Sequence, residues 1–414
     1  MRILQINATF HNSGSTDRIE HDIKKVLENH GHKAYIAYGY DGIIDVDKTI
    51  RGFQTKLQRK WSILKCRLWP RHGFYDVRET KLLLKWIDEV KPDIIHLHNI
   101  HNHYVNVRML FDYIKRHDIP TVWTLHDCWS FTGWCTYFDY AKCDKWKNGC
   151  YSCPNKHEYP YTWFFDLSKS NYQLKQASFS GVSNLLLITP SQWLADLTRQ
   201  SFLNEYPVKV LHNGINTELF KPCGTKMKTN LGITGKKMIL AIASGFSKRK
   251  GIDYLVQLPK LLNENEVLVI VGLTAKQKEI ISQHKCCIAL GRTQNPSELA
   301  EYYSSADVFI NPTLEDNFPT TNVEALACGT PVITFNTGGS VESINEDTGL
   351  IVEQGNMDEL LKGIRRIYSS PDKFLSSKCV EWANRYCDKN KQYLKYIEIY
   401  KSLIRKRYED KKSL

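Results

Sequence analysis

The sequence predicts an α/β protein of two consecutive Rossmann-like units, each a doubly wound parallel sheet, and three observations carry that expectation. Short runs of branched apolar residues alternate with helical patterns along the chain, as the strands and crossover helices of a parallel sheet do. The alternation pauses once, in LHNGINTELFKPCGTKMKTNLGITG at 211–235, whose Gly, Pro and Asn mark a linker, and then starts afresh. The 414 residues, 42% hydrophobic and 24% charged, suffice for two cores of ordinary size.

Taken in order, MRILQINATF is too short for export and lacks a cleavage signature, so it reads as the first buried strand, centred on 3–6. Further strands are expected at 34–38, 94–98, 121–125 and 185–189, with helical patterns at 80–90 and 107–117 between them. The second set is expected at 238–243, 267–271, 287–290, 308–310, 332–335 and 349–352. These divide the chain into a first unit over 1–208, a second over 209–385, and a helix with a basic tail over 386–414. In that last helix Tyr393, Tyr396, Ile397 and Tyr400 recur at three and four residues, as a packed face should, while the tail KSLIRKRYEDKKSL is expected to fray. Ligands of open α/β sheets bind at the carboxyl ends of the strands, so two such units facing each other are expected to hold a cleft there.

No apolar run is long enough to span a bilayer, so a cytoplasmic enzyme is expected, and its twelve cysteines read as thiols or metal ligands and not as a disulfide framework. The net charge is +12, and residues 51–71, RGFQTKLQRKWSILKCRLWPR, carry seven Lys/Arg and no acid among Phe53, Trp61, Leu64, Leu68 and Trp69. A basic, aromatic, partly amphipathic stretch suits an anionic membrane surface. A solvated helix face and a nucleic-acid patch are the other readings.

Chemistry concentrates in four places. In NPTLEDNFPTTNVEALACGTPVITF at 311–335, a strand, an acidic turn, a short helix and a second strand follow one another. A helix N-terminus there offers unpaired N–H groups and a positive dipole to an anion, and nearby carboxylates accept hydrogen bonds from hydroxyls attached to it. Asp316 sits in the turn and Glu324 on the helix; Glu315 comes one position too early to share that spacing. Phe318, Thr320 and Thr321 lie in the same turn and are expected to contact the ligand. In SGFSKRKG, a cation at a strand's carboxyl end is well placed to neutralise developing negative charge, and Lys248, Arg249 and Lys250 are the candidates. Gly14, Ser15 and Thr16 form a small-residue loop opening a helix. His126 and Asp127 end the strand TVWTLH, and HDCWSFTGWCTYFDYAKCDKWKNGCYSCP follows, with Cys135, Cys143, Cys150 and Cys153 in one loop over 128–153. Four thiolates are the usual shell of structural zinc; four reduced structural thiols and a redox or disulfide pair are the alternatives, and Cys128 is a fifth candidate.

The acidic segment resembles the signature of retaining GT-B glycosyltransferases of family 4, two glutamates eight apart before A-x-G-x-P-V, here Ala327, Gly329, Pro331 and Val332. Asp316 replaces the first glutamate and Pro319 a frequent glycine, so the carboxylate must reach further and the turn loses an N–H donor. LLLITPSQWLADL, LHNGINTELFKP and GSTDRI resemble family segments in the expected order, and the Cys-rich insert resembles a subgroup linked to bacterial exopolysaccharide and capsule assembly. The resemblance implies a GT-B fold whose last helix returns to the first domain. It also implies a UDP- or GDP-sugar donor, retention of anomeric configuration, and no metal required for catalysis. Lys250 matches the family lysine, Gly245 stands where an arginine is usual, and His126 stands where a family histidine contacts the donor sugar. A saccharide or lipid-linked acceptor at the inner face of the membrane follows, with no nucleic acid. Asp45-Val46-Asp47 spells the D-x-D of metal-dependent GT-A enzymes but sits early, without that fold's other features. A sugar-nucleotide epimerase or hydrolase, and a zinc-knuckle nucleic-acid module, are the rival functions.

Overall fold

Apolar runs unbroken by polar residues make strands buried on both faces, the mark of a parallel sheet covered by helices. The computed structural model describes residues 1–10, 14–39, 45–293 and 295–412. It divides into one unit of Met1–Leu211 with Tyr393–Leu414 and another of His212–Gln392.

The first unit carries strands β1 (Arg2–Asn7), β2 (Lys33–Tyr38), β3 (Asp45–Asp47), β4 (Ile50–Gly52), β5 (Ile94–Leu97), β6 (Thr121–Thr124), β7 (Leu185–Thr189) and β8 (Val208–Val210). They lie in the order β3-β4-β2-β1-β5-β6-β7-β8, all parallel except β3, which pairs antiparallel with β4 at the edge. Its helices are α1 (Ser15–Asn29), α2 (Lys56–Leu68), α3 (Val77–Val90), α4 (Val107–His117), α5 (Ser168–Phe179) and α6 (Gln192–Gln200). The basic stretch 51–71 is thus split between β4, next to the edge strand β3, and α2. A capping box starts α2, in which the Thr55 side chain receives the Gln58 N–H and the Gln58 side chain receives the Thr55 N–H.

The second unit has strands β9 (Lys237–Ile242), β10 (Glu266–Val271), β11 (Cys287–Leu290), β12 (Val308–Asn311), β13 (Val332–Phe335) and β14 (Gly349–Val352), in the order β11-β10-β9-β12-β13-β14 and all parallel. Helices α7 (Lys226–Asn230), α8 (Ile252–Gln257), α9 (Ala275–Ile281), α10 (Pro296–Ser305), α11 (Thr320–Ala327), α12 (Met357–Ser369) and α13 (Ser376–Tyr386) connect them. The stretch 211–235 is not a solvated linker. Ile215, Phe220, Met227 and Ile233 are buried in the second core beside Met238 and Val269, so apolar burial outweighs the turn residues around them.

The last helix, α14 (Lys389–Lys412), enters the first unit from Tyr393 onward. Tyr393, Tyr396, Ile397 and Tyr400 are buried against Ile3, Ile23, Ile94 and Val122. The two central tyrosine hydroxyls are paired as burial demands, Tyr396 with Thr124 at 2.9 Å and Tyr400 with His96 Nδ1 at 2.8 Å. The helix continues to Lys412 through the segment expected to fray, of which Ser413 and Leu414 lie outside the described residues.

Candidate active site

In the second unit, the turns leaving β9 and β12 are locked to each other. Gly251, at φ +74°, lies so close to Pro312 that a Cβ would sit 2.0 Å from the proline carbonyl oxygen. Only glycine meets both demands without strain. The Arg249 carbonyl accepts the Leu314 N–H at 2.8 Å, and Arg249 Nη1 donates to the Glu315 carbonyl at 2.7 Å. The two turns therefore deliver Lys250 onto Asp316, Nζ to Oδ2 at 2.5 Å. Burial pushes the Lys250 ammonium below the usual lysine value; the Asp316 carboxylate opposes that shift and Arg249 adds to it. Such a pair is stable only while both partners remain, since an unpaired buried charge is costly.

Asp316 is held from behind as well. Its carbonyl accepts the Gly339 N–H at 3.1 Å, and Gly338, at φ +49°, approaches so closely that a Cβ would lie 2.1 Å from that carbonyl oxygen. The pair Gly338-Gly339 was missed in the sequence, although two glycines just after a strand are a signal for close backbone approach. Phe318 is buried and stacks on His212, ring centroids 4.7 Å apart, another partnership with no sequence signal. Thr320 and Thr321 open α11, whose N-cap, Pro319, supplies no side-chain cap. Glu324 lies on α11 itself. It is 3% exposed and accepts a hydrogen bond from Tyr303 of α10 at 3.0 Å. The structure thus brings together Lys250, Arg249 and Asp316, sets Thr320 and Thr321 on the helix end that follows, and ties Glu324 to the helix α10.

In the first unit, Gly14 is the N-cap of α1 and Ser15 its first residue. A Cβ on Gly14 would meet nothing within 4 Å, so close packing is not the reason for glycine there. His126 stands at the carboxyl end of β6, in a chain of histidines. Gln5 Nε2 donates to the Glu20 carbonyl at 3.0 Å, so its Oε1 accepts from His98 Nε2 at 3.1 Å. A neutral His98 then accepts at Nδ1 from His126 Nε2 at 3.1 Å. Burial pushes His126 down to about 4, against the opposing pull of Asp127, so above that pH it is neutral with its lone pair on Nδ1. Asp127 in turn accepts from His101 Nε2 at 3.0 Å and from the Trp129 N–H at 2.9 Å. The run HLHNIHNHY at 96–104, four histidines on a strand end and its loop, carried this network unread.

Cys135, Cys143, Cys150 and Cys153 all line one small pocket with Phe138 and Trp146. Cys150 Sγ accepts the Gly133 N–H at 3.1 Å. A hydrogen bond to Cys153 and then burial raise the Cys135 thiol, the same bond lowers Cys153, and burial pushes Cys150 up to about 11. Among the described residues no group of three or more His, Cys, Asp or Glu side chains is set to hold a metal ion. The donor set, four thiols lining one pocket, suits zinc in kind. The D-x-D aspartate Asp47 is turned onto Thr49, accepting from its hydroxyl at 2.7 Å on the edge strand.

Comparison with known proteins identifies the family and the fold. Residues 18–219 match the model of Glycosyltransferase Family 4, and residues 225–385 that of Glycosyl transferases group 1. WcaC of Escherichia coli K12, a protein named for colanic acid biosynthesis, is 24% identical over 66% of this chain and 66% of its own length. An uncharacterized 41.2 kDa protein from the cps region of Klebsiella pneumoniae is 25% identical over 78% of this chain and 82% of its own. The capsular polysaccharide glycosyltransferase CapM of Staphylococcus aureus is 27% identical over 37% of this chain and 43% of its own. Among solved structures, sucrose-phosphate synthase from Thermosynechococcus elongatus superposes with a TM-score of 0.72 at 17% identity, over 97% of this chain and 99% of that one. Anabaena HepE in complex with UDP superposes with a TM-score of 0.70 at 16% identity, over 97% and 100%. With one unit matching each half of the family and the fold matched from end to end, the chain belongs to the group 1, family 4 glycosyltransferases and has their GT-B fold.

Proposed function

We propose that the chain transfers a sugar, with retention of anomeric configuration, from a UDP- or GDP-sugar to a saccharide or lipid-linked acceptor in the synthesis of a bacterial surface polysaccharide. One observation carries the reading: a half-buried cation, Lys250, is held by Asp316 on the turn that leads into the uncapped N-terminus of α11. A diphosphate matches the cation and the helix end, and displacing Asp316 from Lys250 frees a carboxylate oxygen to accept from a sugar hydroxyl. Arg249, fixed on the Glu315 carbonyl, supports the turn and adds positive charge. Thr320 and Thr321 offer hydroxyls and N–H groups to the phosphates. Glu324, through Tyr303, fixes α11 on α10 and is a positioning residue in this reading. Support for a nucleotide-sugar donor also comes from HepE, whose structures are complexes with UDP and with UDP-glucose.

In the step itself, the acceptor oxygen bonds to the anomeric carbon on the face the diphosphate leaves. The bond from that carbon to the phosphate oxygen breaks, and the departing oxygen takes the acceptor's proton. Lys250 and the α11 end stabilise the charge that develops there. His126, a neutral imidazole, is suited to a polar contact with a sugar hydroxyl and not to neutralise a phosphate. Work at the inner face of the membrane, on an anionic surface, is supported by the basic α2 segment. Structural zinc in the four-cysteine cluster is proposed on its donor set alone.

Incubating purified protein with UDP-, GDP- and ADP-sugars, measuring nucleoside diphosphate release and zinc content on one sample, tests these points. Release with one nucleotide, with the anomeric configuration retained in the product, is the expected result. No release with any donor, while nucleic acid binds, would move the weight to the binding-module reading.

A further inference from the structure

Helix α2 shows solvent the face that most helices hide. It buries Ser62 and Cys66, and the Ser62 hydroxyl is bonded to the buried Asp76 carboxylate. Leu57, Trp61 and Leu68, spaced as one helical stripe, are instead 65%, 57% and 43% exposed, flanked by the exposed Lys56, Lys60 and Lys65. A helix that packed its apolar stripe on a core would do the reverse.

A loop from far along the chain completes this surface. Residues 159–165, YPYTWFF, pack on the end of α2. The Trp163 N–H donates to the Arg67 carbonyl at 3.0 Å, and the Arg67 guanidinium lies 4.6 Å from the Tyr161 ring centre and 5.7 Å from that of Trp163. Trp69 meets Phe165, centroids 5.0 Å apart. Trp163, Phe164 and Phe165 are themselves 44%, 66% and 48% exposed. Scattered exposed apolar residues are ordinary; one continuous aromatic face rimmed by lysines is not.

We propose that this face docks on an anionic phospholipid bilayer, with α2 lying among the headgroups and the loop at 163–165 inserting below them. The inference rests on the membrane-surface part of the proposed function and adds its insertion element. The charge decides the occupant. The exposed Lys56, Lys60 and Lys65, in a stretch without an acid, are complementary to anionic headgroups, whereas a second copy would set the same cations against each other. Trp, Tyr and Arg are also the side chains that settle at a membrane interface, with an apolar body and a polar end.

Co-sedimentation of the full chain with phosphatidylcholine vesicles, with and without phosphatidylglycerol, tests this. Strong binding only with phosphatidylglycerol is expected. Replacing Lys56, Lys60 and Lys65 by Ser should weaken it on the order of 100-fold, at roughly fivefold per charge. W163S/F164S should weaken it by about tenfold or more, and should remove the part that survives high salt. All five positions are exposed, so the variants should keep the wild-type melting temperature. Failure of the wild type to bind the anionic vesicles overturns the proposal. So does a loop variant that binds as well as wild type, or a concentration-dependent dimer that W163S/F164S dissolves. Nucleotide binding, measured on the same samples, reads the sugar-transfer function separately, so either reading can fail without the other.

Discussion

The carboxyl end of the second sheet carries a lysine–aspartate pair, and that of the first a chain of neutral histidines beside the Asp127 carboxylate. Lys250, Arg249 and Asp316 converge where β9 and β12 end. At the ends of β5 and β6, His98 and His126 share one proton between facing nitrogens, and burial lowers both. The first arrangement suits a diphosphate, which needs fixed positive charge in a water-poor place. The second suits hydroxyls, which need acceptors and donors of modest polarity. Two units with similar parallel sheets thus differ in chemistry because their loops, and not their strands, carry the function.

The sharpest way to break this comparison is to remove the charge on one side only. Lys250→Ala should lower kcat/KM by about 10²–10³-fold and abolish nucleotide binding, because it deletes the cation and strands Asp316. His126→Ala should lower turnover while leaving nucleotide affinity near wild type; equal loss of affinity in both variants would erase the distinction between the units. Gly251→Ala comes next. It forces a Cβ toward the Pro312 carbonyl and should cost roughly 1–3 kcal/mol in denaturant melts, with the loss confined to the second unit. Glu324→Ala should cost a similar 1–3 kcal/mol or so by leaving the Tyr303 hydroxyl without its acceptor, and Glu324→Gln should restore most of it.

Acid sharpens the contrast from the other side. Burial pushes His96 down to about 3 and His126 to about 4, while the unfolded chain titrates near 6.5. The unfolded state therefore binds more protons below about 6.5, and stability falls as pH drops from there toward 3 to 4. Hydrogen exchange between pH 7 and 5 should show protection lost first around β5 and β6. Asp47→Asn is the smallest expected effect, within about 0.5 kcal/mol in stability and without change in turnover, because Asp47 is exposed and bonds the neighbouring Thr49 and Ile50 at the sheet edge.

Most of the sheet was legible, because fully buried strands must be apolar along their whole length. Of the strands in the described residues, β3, β4 and β8 escaped the reading; each is three residues long, too short for a pattern. The stretch 211–235 was misread as linker because its Gly and Pro hid four buried apolar anchors. Lys250 could be picked out through its match to the family lysine, and Asp316 through its spacing from Glu324. Their direct pairing could not, because it depends on two distant turns fixed by Gly251. Glu324 was legible as a carboxylate on the helix but not as a partner of Tyr303, since that contact joins two helices. The outward face of α2 was half visible as a basic aromatic run, and the loop that completes it lies in a different part of the chain.

Calorimetric titration of the nucleoside diphosphate that matches the turnover screen into wild type, Lys250→Ala and His126→Ala tests the division of labour most directly. The expected result is binding to wild type and His126→Ala with similar affinity, and none to Lys250→Ala. Undiminished binding to Lys250→Ala would contradict the placement of the diphosphate in the second unit.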